Sequence, residues 1–504
     1  MYDPNIALIV AIFFTQVVKI VANNKLFTGG TIISYDESTK LPKVIRDGAL
    51  LIQDDRIHEI FDLAPSNGTF PHDTEVIDCK NKIITPGFID THRHGWQTVF
   101  KTTGSNTTLS DYFSRYSSSV AQPLFTPEDV YISQKVGILE ALNAGTTTIL
   151  DHAHHTWTRE HAVAGYNASI DSGARVYFAY TFQNVTGFTI QDQLKHWREL
   201  DAGKTSNLTS LVMSYDDFTA NPYGKDTQDL VELAKEAEIE VFTSHHVAGP
   251  WNFGNAPEDL HNAGILNTST AVVLGHATFI TPYSASLLRA TNQHISITPE
   301  SEMHYGMLHP TAHLIADQAS IGTDTPFAFS TDVLTQTRLW LQSTRQTMYS
   351  NSLDRWQIPN SNPVSVAQAF LLATRNGGLA LGRKDLGVIT KGAKADLLVW
   401  DGRSPSLLGW ADPIAAVILH ASIGDIDHVL VDGGFVKRDK KLLSGGYDDD
   451  VARFLDAARR IQQKLRETPL VPQVGMYVGG FPYGEQYQVD VQRGEGNGYG
   501  PSYV

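Results

Sequence analysis

The chain has 504 residues, more than one small core accommodates, and at about 150 residues per domain this predicts three domains or one large α/β barrel with attachments. Hydrophobic residues make up 42% and charged residues 18%, a globular balance that excludes wholesale disorder and fibrous repeats. Asp and Glu outnumber Lys and Arg by 54 to 39, and the resulting net charge of -15 repels phosphate backbones and anionic lipid. The single cysteine, Cys79, excludes a disulfide framework and a thiolate cage, so any metal must be held by carboxylates and by some of the 19 histidines.

Residues 1-24 read as an apolar N-terminal extension or a signal-like segment. Ile6 to Phe14 is an unbroken apolar run of h-region length, too short to span a bilayer, and Asp3 stands where a positive charge is expected. Sequons at Asn67, Asn106, Asn167, Asn184, Asn207 and Asn267 are compatible with secretion, while an extension helix packed on a cytoplasmic protein fits equally well.

From residue 25 to 82 the chain reads as short strands and turns, as in Gly48-Ala-Leu-Leu-Ile-Gln-Asp-Asp and Glu75-Val-Ile-Asp. The same texture returns over 386-445 in Ala395-Asp-Leu-Leu-Val-Trp-Asp and His428-Val-Leu-Val-Asp. Strand-rich segments flanking a different middle predict one small β-sandwich built from both ends of the chain. In the middle, residues 83-385, apolar β-type runs alternate with helical stretches. The runs begin at Ile83, Gly145, Ala174, Leu211, Glu240, Ala271, His294 and Ala319, which is the count and size of a distorted (β/α)8 TIM barrel in the α/β class. Residues 446-504 read as an amphipathic helix, with Val451, Phe454, Leu455, Ala458, Ile461 and Leu465 on one stripe, followed by a Gly- and Tyr-rich tail.

Residues i and i+2 of a strand point the same way, so His92-x-His94 at the end of the first barrel strand aims two imidazoles at one point. Chance alone yields ~0.7 such pairs in this composition, and His152-x-His154 is a second one, so position has to discriminate. His245 and His246 end the fifth strand, His276 the sixth and Asp324 the eighth, and in a barrel these ends share the C-terminal face.

With these residues in view the chain resembles the amidohydrolase superfamily, in the branch of guanine, cytosine and S-adenosylhomocysteine deaminases and triazine hydrolases. Pro86-Gly-Phe-Ile-Asp-Thr-His-Arg-His, Gly145-Thr-Thr-Thr, Leu274-Gly-His, Gly322-Thr-Asp324 and the segment from Leu386 to Asp401 carry the resemblance, which covers about residues 25 to 440. It implies a metal site of His92, His94, His246 and Asp324, His276 as acid/base partner, and Gln97 as a substrate contact. Aligning Ser244-His-His-Val-Ala-Gly249 on the family's H-x-x-E pattern is what selects His246, and it puts Gly249 where a catalytic glutamate belongs. Without that proton shuttle, guanine, cytosine and adenosine are expected to be poor substrates. Glu302, or Glu300, in Thr298-Pro-Glu-Ser-Glu is the candidate replacement, with substrate positioning as the alternative role, especially for Glu300. His154 and His155 are further pocket candidates.

Neither the third nor the fourth strand ends in the lysine that a binuclear site in this superfamily uses, so one divalent ion is expected, zinc first and iron or manganese next. The function expected is a mononuclear metal-dependent hydrolase of a C–N bond in an amide, cyclic amide or amino-substituted ring, with Asp324 accepting the proton of water and His276 stabilising the oxyanion. Trp96, Trp157, Tyr180, Phe182 and Trp251 follow strand ends and favour a flat or aromatic ligand. A deaminase, a nonhydrolytic decarboxylase and a non-catalytic binding barrel are the alternatives on the same fold. The expected partner is a small-molecule substrate, without nucleic acid or a stable membrane span and with room for a homo-oligomer.

Overall fold

The computed structural model describes residues 24–486 except 64, 66–69, 72, 308–311 and 479. The apolar run at Ile6–Phe14, the sequon at Asn67 and the end of the Gly/Tyr-rich tail lie outside the described residues.

The described residues open with β1 (Lys25–Asp36), β2 (Leu41–Gln53), β3 (Arg56–Phe61), β4 (Glu75–Asp78) and β5 (Ile83–Pro86). The barrel follows as β6 (Phe88–Arg93), β7 (Thr146–Ala153), β8 (Arg175–Phe182), β9 (Thr209–Tyr215), β10 (Val241–Val247), β11 (Ala271–Thr278), β12 (His294–Ile297) and β13 (Ala319–Ile321). The last strands are β14 (Leu397–Trp400), β15 (Ile426–Val431), β16 (Gly434–Arg438) and β17 (Lys441–Leu442).

Eight parallel strands run in the order β13 to β6, and an isolated bridge between Arg93 and Asp324 joins the two outer strands. Thr323 and Asp324 also donate their backbone N–H groups to the carbonyl of His92. Strands such as β8, Arg-Val-Tyr-Phe-Ala-Tyr-Thr-Phe, are buried at every residue because both faces of a parallel sheet are covered. The distortion sits at β9 and β10, which pair only through Phe242 with Met213 and Thr243 with Ser214. The helix before β7, Pro127–Asn143, starts on a Thr126 cap closed reciprocally by Asp129, with proline in its first turn, a device worth about 1 kcal/mol.

The second domain is a single nine-stranded mixed sheet, β17-β16-β15-β14-β5-β1-β2-β3 with β4 beside β1, so both chain segments expected to form a sandwich share one hydrogen-bonded ladder. Ile83–Pro86 belongs here rather than to the first barrel strand, since β5 pairs with β1 and β14. The change of sheet happens at Gly87. A Cβ there would lie 2.1 Å from Thr147 Oγ1, so only glycine lets the chain pass β7 this closely.

The C-terminal helix, Tyr447–Glu467, packs on the barrel's helical layer with Ala457, Ala458, Ile461 and Leu465 buried, whereas Leu455 of the expected stripe is 43% exposed. Asp450 pairs with Lys135 at 2.8 Å, and Gln462 Nε2 donates to the carbonyl of Val99 at 2.8 Å. No helix among the described residues is long and apolar enough to cross a membrane.

Candidate metal centre

His92 lies at the end of β6 and His94 just follows it. The His92 ring is fully buried, neither of its nitrogens has a hydrogen-bond partner among the described residues, and burial pushes its pKa well below the ordinary value. His94 Nδ1 lies 2.9 Å from the carbonyl of His152, which fixes that nitrogen as the donor and leaves Nε2 as a ligand. Asp324 Oδ1 sits 3.1 Å from His94 Nε2 and 3.7 Å from His92 Nε2, and Ser301 Oγ donates to Asp324 Oδ2. Burial alone would raise the Asp324 carboxyl, but the two imidazoles hold it well below the usual carboxylate range. His92, His94 and Asp324 thus converge closely enough for one ion.

On the fifth strand it is His245, and not the expected His246, that lines the cavity. His245 pairs across the ladder with Gly275, and a Cβ on Gly275 would lie 2.7 Å from the His92 ring, so this pair faces the barrel interior. His245 Nε2 lies 3.2 Å from His94 Nε2. His246 takes the opposite face, where Nδ1 approaches the carbonyl of Gly254 at 3.1 Å. His276 is opposite His246 in the ladder, yet its φ of 64° lies in the left-handed region and interrupts the alternation, so it lines the same cavity as His245. Asp324 has a left-handed φ of 60° as well, and such strain gathers where a site requires it.

Asp216, one residue past β9, organises the fifth-strand histidine. It accepts from the backbone N–H of His245 at 2.7 Å and from His245 Nδ1 at 2.8 Å, and its Oδ2 lies 3.1 Å from His152 Nε2. Burial would raise this carboxyl, but His245 and His152 hold it well below its ordinary value. His92, His152 and His245 form a second convergent grouping that shares His92 with the first. Neither His152 nor Asp216 was singled out from sequence as a site residue. The signal for His152 was its i+2 spacing to His154, and for Asp216 its place at the end of the fourth strand.

These groups open on a cavity of about 600 Å³ whose polar floor includes His94, His154, His245, His276, Asp216 and Asp324, beneath walls that include Leu109, Tyr112, Phe113, Phe182, Phe253 and Tyr305. Four expected substrate contacts do not line it. Trp96 is buried in the 3-10 turn Gly95–Phe100, where its indole donates to His154 Nδ1 at 3.0 Å. Gln97 donates to Tyr112 Oη at 3.1 Å and to the Tyr116 carbonyl at 3.0 Å, so it acts behind a wall residue. His155 is buried against Phe178, and a Cβ on Gly165 would lie 1.9 Å from its Nε2. Glu300 accepts from Ser330 and Gln336, away from the cavity. Each sits on the far side of its strand-end turn, which a strand count does not reveal. Glu302 is likewise outside the cavity lining, 3.7 Å behind His276 Nδ1, with its Oε1 taken by the backbone N–H of Thr298 at 2.9 Å. Among the other strand-end aromatics Phe182 lines the cavity, while Trp157, Tyr180 and Trp251 do not.

Residues 83–436 match the model of the amidohydrolase family. The chain is 25% identical over 451 residues to the 5-methylthioadenosine/S-adenosylhomocysteine deaminase of Pyrococcus abyssi, covering 86% of this chain and 98% of the relative. It is similar in fold to a zinc-bound adenosine deaminase from Xanthomonas campestris, with a TM-score of 0.71, 18% identity and coverage of 88% of this chain and 99% of that one. A mutant atrazine chlorohydrolase from Arthrobacter aurescens, solved with zinc and atraton, gives a TM-score of 0.72 at 18% identity, covering 86% of this chain and 100% of that one. The chain belongs to the amidohydrolase family and is a hydrolase of carbon–nitrogen bonds. Its fold, a TIM barrel joined to a smaller sheet domain, is that of its structural neighbours.

Proposed function

We propose that His92, His94, His245 and Asp324 hold one divalent ion, zinc, and that the cavity above it hydrolyses a C–N bond of a small uncharged molecule with a flat or heterocyclic body. The observation that carries this reading is the buried His92 ring with two unpartnered nitrogens, ringed by two imidazoles whose Nδ1 atoms are already engaged. A bound divalent ion would supply Lewis acidity and an activated water at neutral pH. Asp324, held anionic, takes up a proton from water beside the reacting carbon. Thr298 Oγ1, 2.8 Å from His276 Nδ1, orients that ring, which in its doubly protonated form stabilises the developing oxyanion through Nε2–H and gives that proton to the leaving group, while the proton that Asp324 takes from water restores the balance. Glu302 holds Thr298 in place rather than shuttling protons. The zinc bound in the structural neighbours and the deaminase activity of the relatives support ion and reaction class alike.

The charge pattern supports the substrate class, because among the described residues no Lys or Arg lines the cavity to neutralise a phosphate or carboxylate group. One ion is expected because the second histidine grouping reuses His92 and His245. Elemental analysis finding two ions per chain after gel filtration overturns that count. The proposal itself is tested by screening the zinc-loaded protein against amides, lactams and aminated heterocycles with ammonia and amine as readouts, and release of neither from any of them refutes it. Adenosine, guanine and cytosine are expected at the slow end of that screen, since neither Ala248 nor Gly249 supplies the glutamate. Asp216→Asn is expected to weaken zinc binding about 10- to 100-fold, because the carboxylate that fixes the His245 tautomer becomes a neutral amide. Competition with a chelator measures it, and an unchanged affinity removes Asp216 from the role.

A further inference from the structure

The indole N–H of tryptophan only donates, so the 3.0 Å contact from Trp96 Nε1 makes His154 Nδ1 an acceptor. His154 is therefore held as the neutral tautomer that carries its hydrogen on Nε2. That tautomer is assigned by a donor at Nδ1, whereas His94 and His245 have acceptors at Nδ1 and so carry their hydrogen there. His154 lines the cavity, its Nε2 has no hydrogen-bond partner among the described residues, and its ring stands 4.2 Å from that of His94. The backbone is pinned as well, since the His154 carbonyl accepts from Ser118 Oγ and from Gln183 Nε2 at 3.0 Å. Trp96 in turn is locked by packing on Phe125 and Trp157 and by its carbonyl, which accepts from Ser133 Oγ at 2.5 Å.

We propose that His154 is a substrate-recognition residue. It presents a fixed Nε2–H donor beside the metal-facing floor, and it selects ligands that place a hydrogen-bond acceptor there, a ring nitrogen or a carbonyl oxygen adjacent to the scissile carbon. Trp96 is the positioning residue that denies His154 the other tautomer. A ligand without the acceptor leaves a desolvated N–H unpaired, and the cost falls on that ligand. The inference rests on the hydrolase reading for the cavity's use, but its test is a binding measurement. A failed hydrolysis screen with the binding preference intact would therefore sink only the reaction.

The probes are 4-aminopyrimidine and aniline, two flat amino-substituted rings of one size, with and without ring acceptors, titrated calorimetrically into the zinc-loaded protein. The pyrimidine is expected to bind at least about tenfold more tightly, the worth of one well-placed hydrogen bond plus the penalty of leaving its donor bare. In His154→Leu the preference is expected to fall to within about threefold at unchanged zinc content, with partial recovery in His154→Gln, which keeps an N–H donor. Trp96→Phe is expected to reduce the preference too, because either nitrogen of His154 can then carry the hydrogen. Nitrogen-15 spectra of the unmutated zinc protein provide a second reading that needs no variant, with His154 expected to carry its proton on Nε2. A proton on Nδ1, equal binding or no binding of the two rings by the unmutated protein, or a preference that survives His154→Leu would each overturn the proposal.

Discussion

His245→Ala is expected to lose zinc and activity together, whereas His246→Ala keeps both. The direction comes from the ladder rather than from motif spacing. His245 is paired with a glycine whose open side faces His92, and its outer nitrogen is held by Asp216, so removing it deletes a donor that the fold has already aimed. A reduction in metal affinity of more than about a hundredfold is expected, beyond the range seen when a ligand's orienting partner alone is lost. His246 contacts the Gly254 carbonyl on the other face of β10, and its loss disturbs a loop anchor rather than the ion. Metal analysis of the two variants after dialysis decides the matter, and zinc retained in His245→Ala but lost from His246→Ala would reverse the register.

The second large effect concerns the proton that the leaving group needs. With no carboxylate at Ala248 or Gly249, and with Glu300 and Glu302 outside the cavity lining, the proposed mechanism gives this task to His276, and His276→Gln is expected to lower kcat by about 10²- to 10⁴-fold while zinc stays bound. Glu300→Gln is expected to change kcat by less than about threefold, because its carboxylate serves Ser330 and Gln336. Glu302→Gln should fall between them, since it acts only through Thr298 and the His276 ring. Single-turnover rates on a substrate from the C–N screen make the comparison, and a Glu300→Gln loss as large as that of His276→Gln would overturn the assignment of this proton to His276.

The barrel was legible because each strand is an apolar run of β-formers set between helical stretches, and because burial on both faces enforces that composition. His92, His94, His276 and Asp324 were legible for a related reason, as strand ends of a parallel barrel lie on one face whatever the connections between them do. The adjacent pair His245-His246 was not. Consecutive residues of one strand differ only in face, and the face is set by Gly275 in the neighbouring strand and by the left-handed turn at His276, neither of which a spacing pattern contains. Trp96, Gln97, His155 and Glu300 failed as direct contacts for a similar reason. Each follows a strand end, but the turn there decides whether a side chain reaches the cavity or supports one that does. Asp216 is not legible because nothing in the spacing sets it apart from its neighbour Asp217 at the end of the fourth strand.

The helix Tyr447–Glu467 lies against the turn that carries Trp96, although some 350 residues separate them along the chain, and β5 likewise waits for β14 to complete its sheet. Such long separations delay folding, because the chain must close very large loops before the contacts that stabilise them exist. During synthesis the histidine-bearing strands leave the ribosome well before the helix that braces their support. A nascent chain ending near residue 440 would therefore carry all four proposed ligands on a floor that is still loose. Zinc capture and substrate selectivity would mature at different moments, the first once β13 has joined β6 and the second only when the last helix has docked.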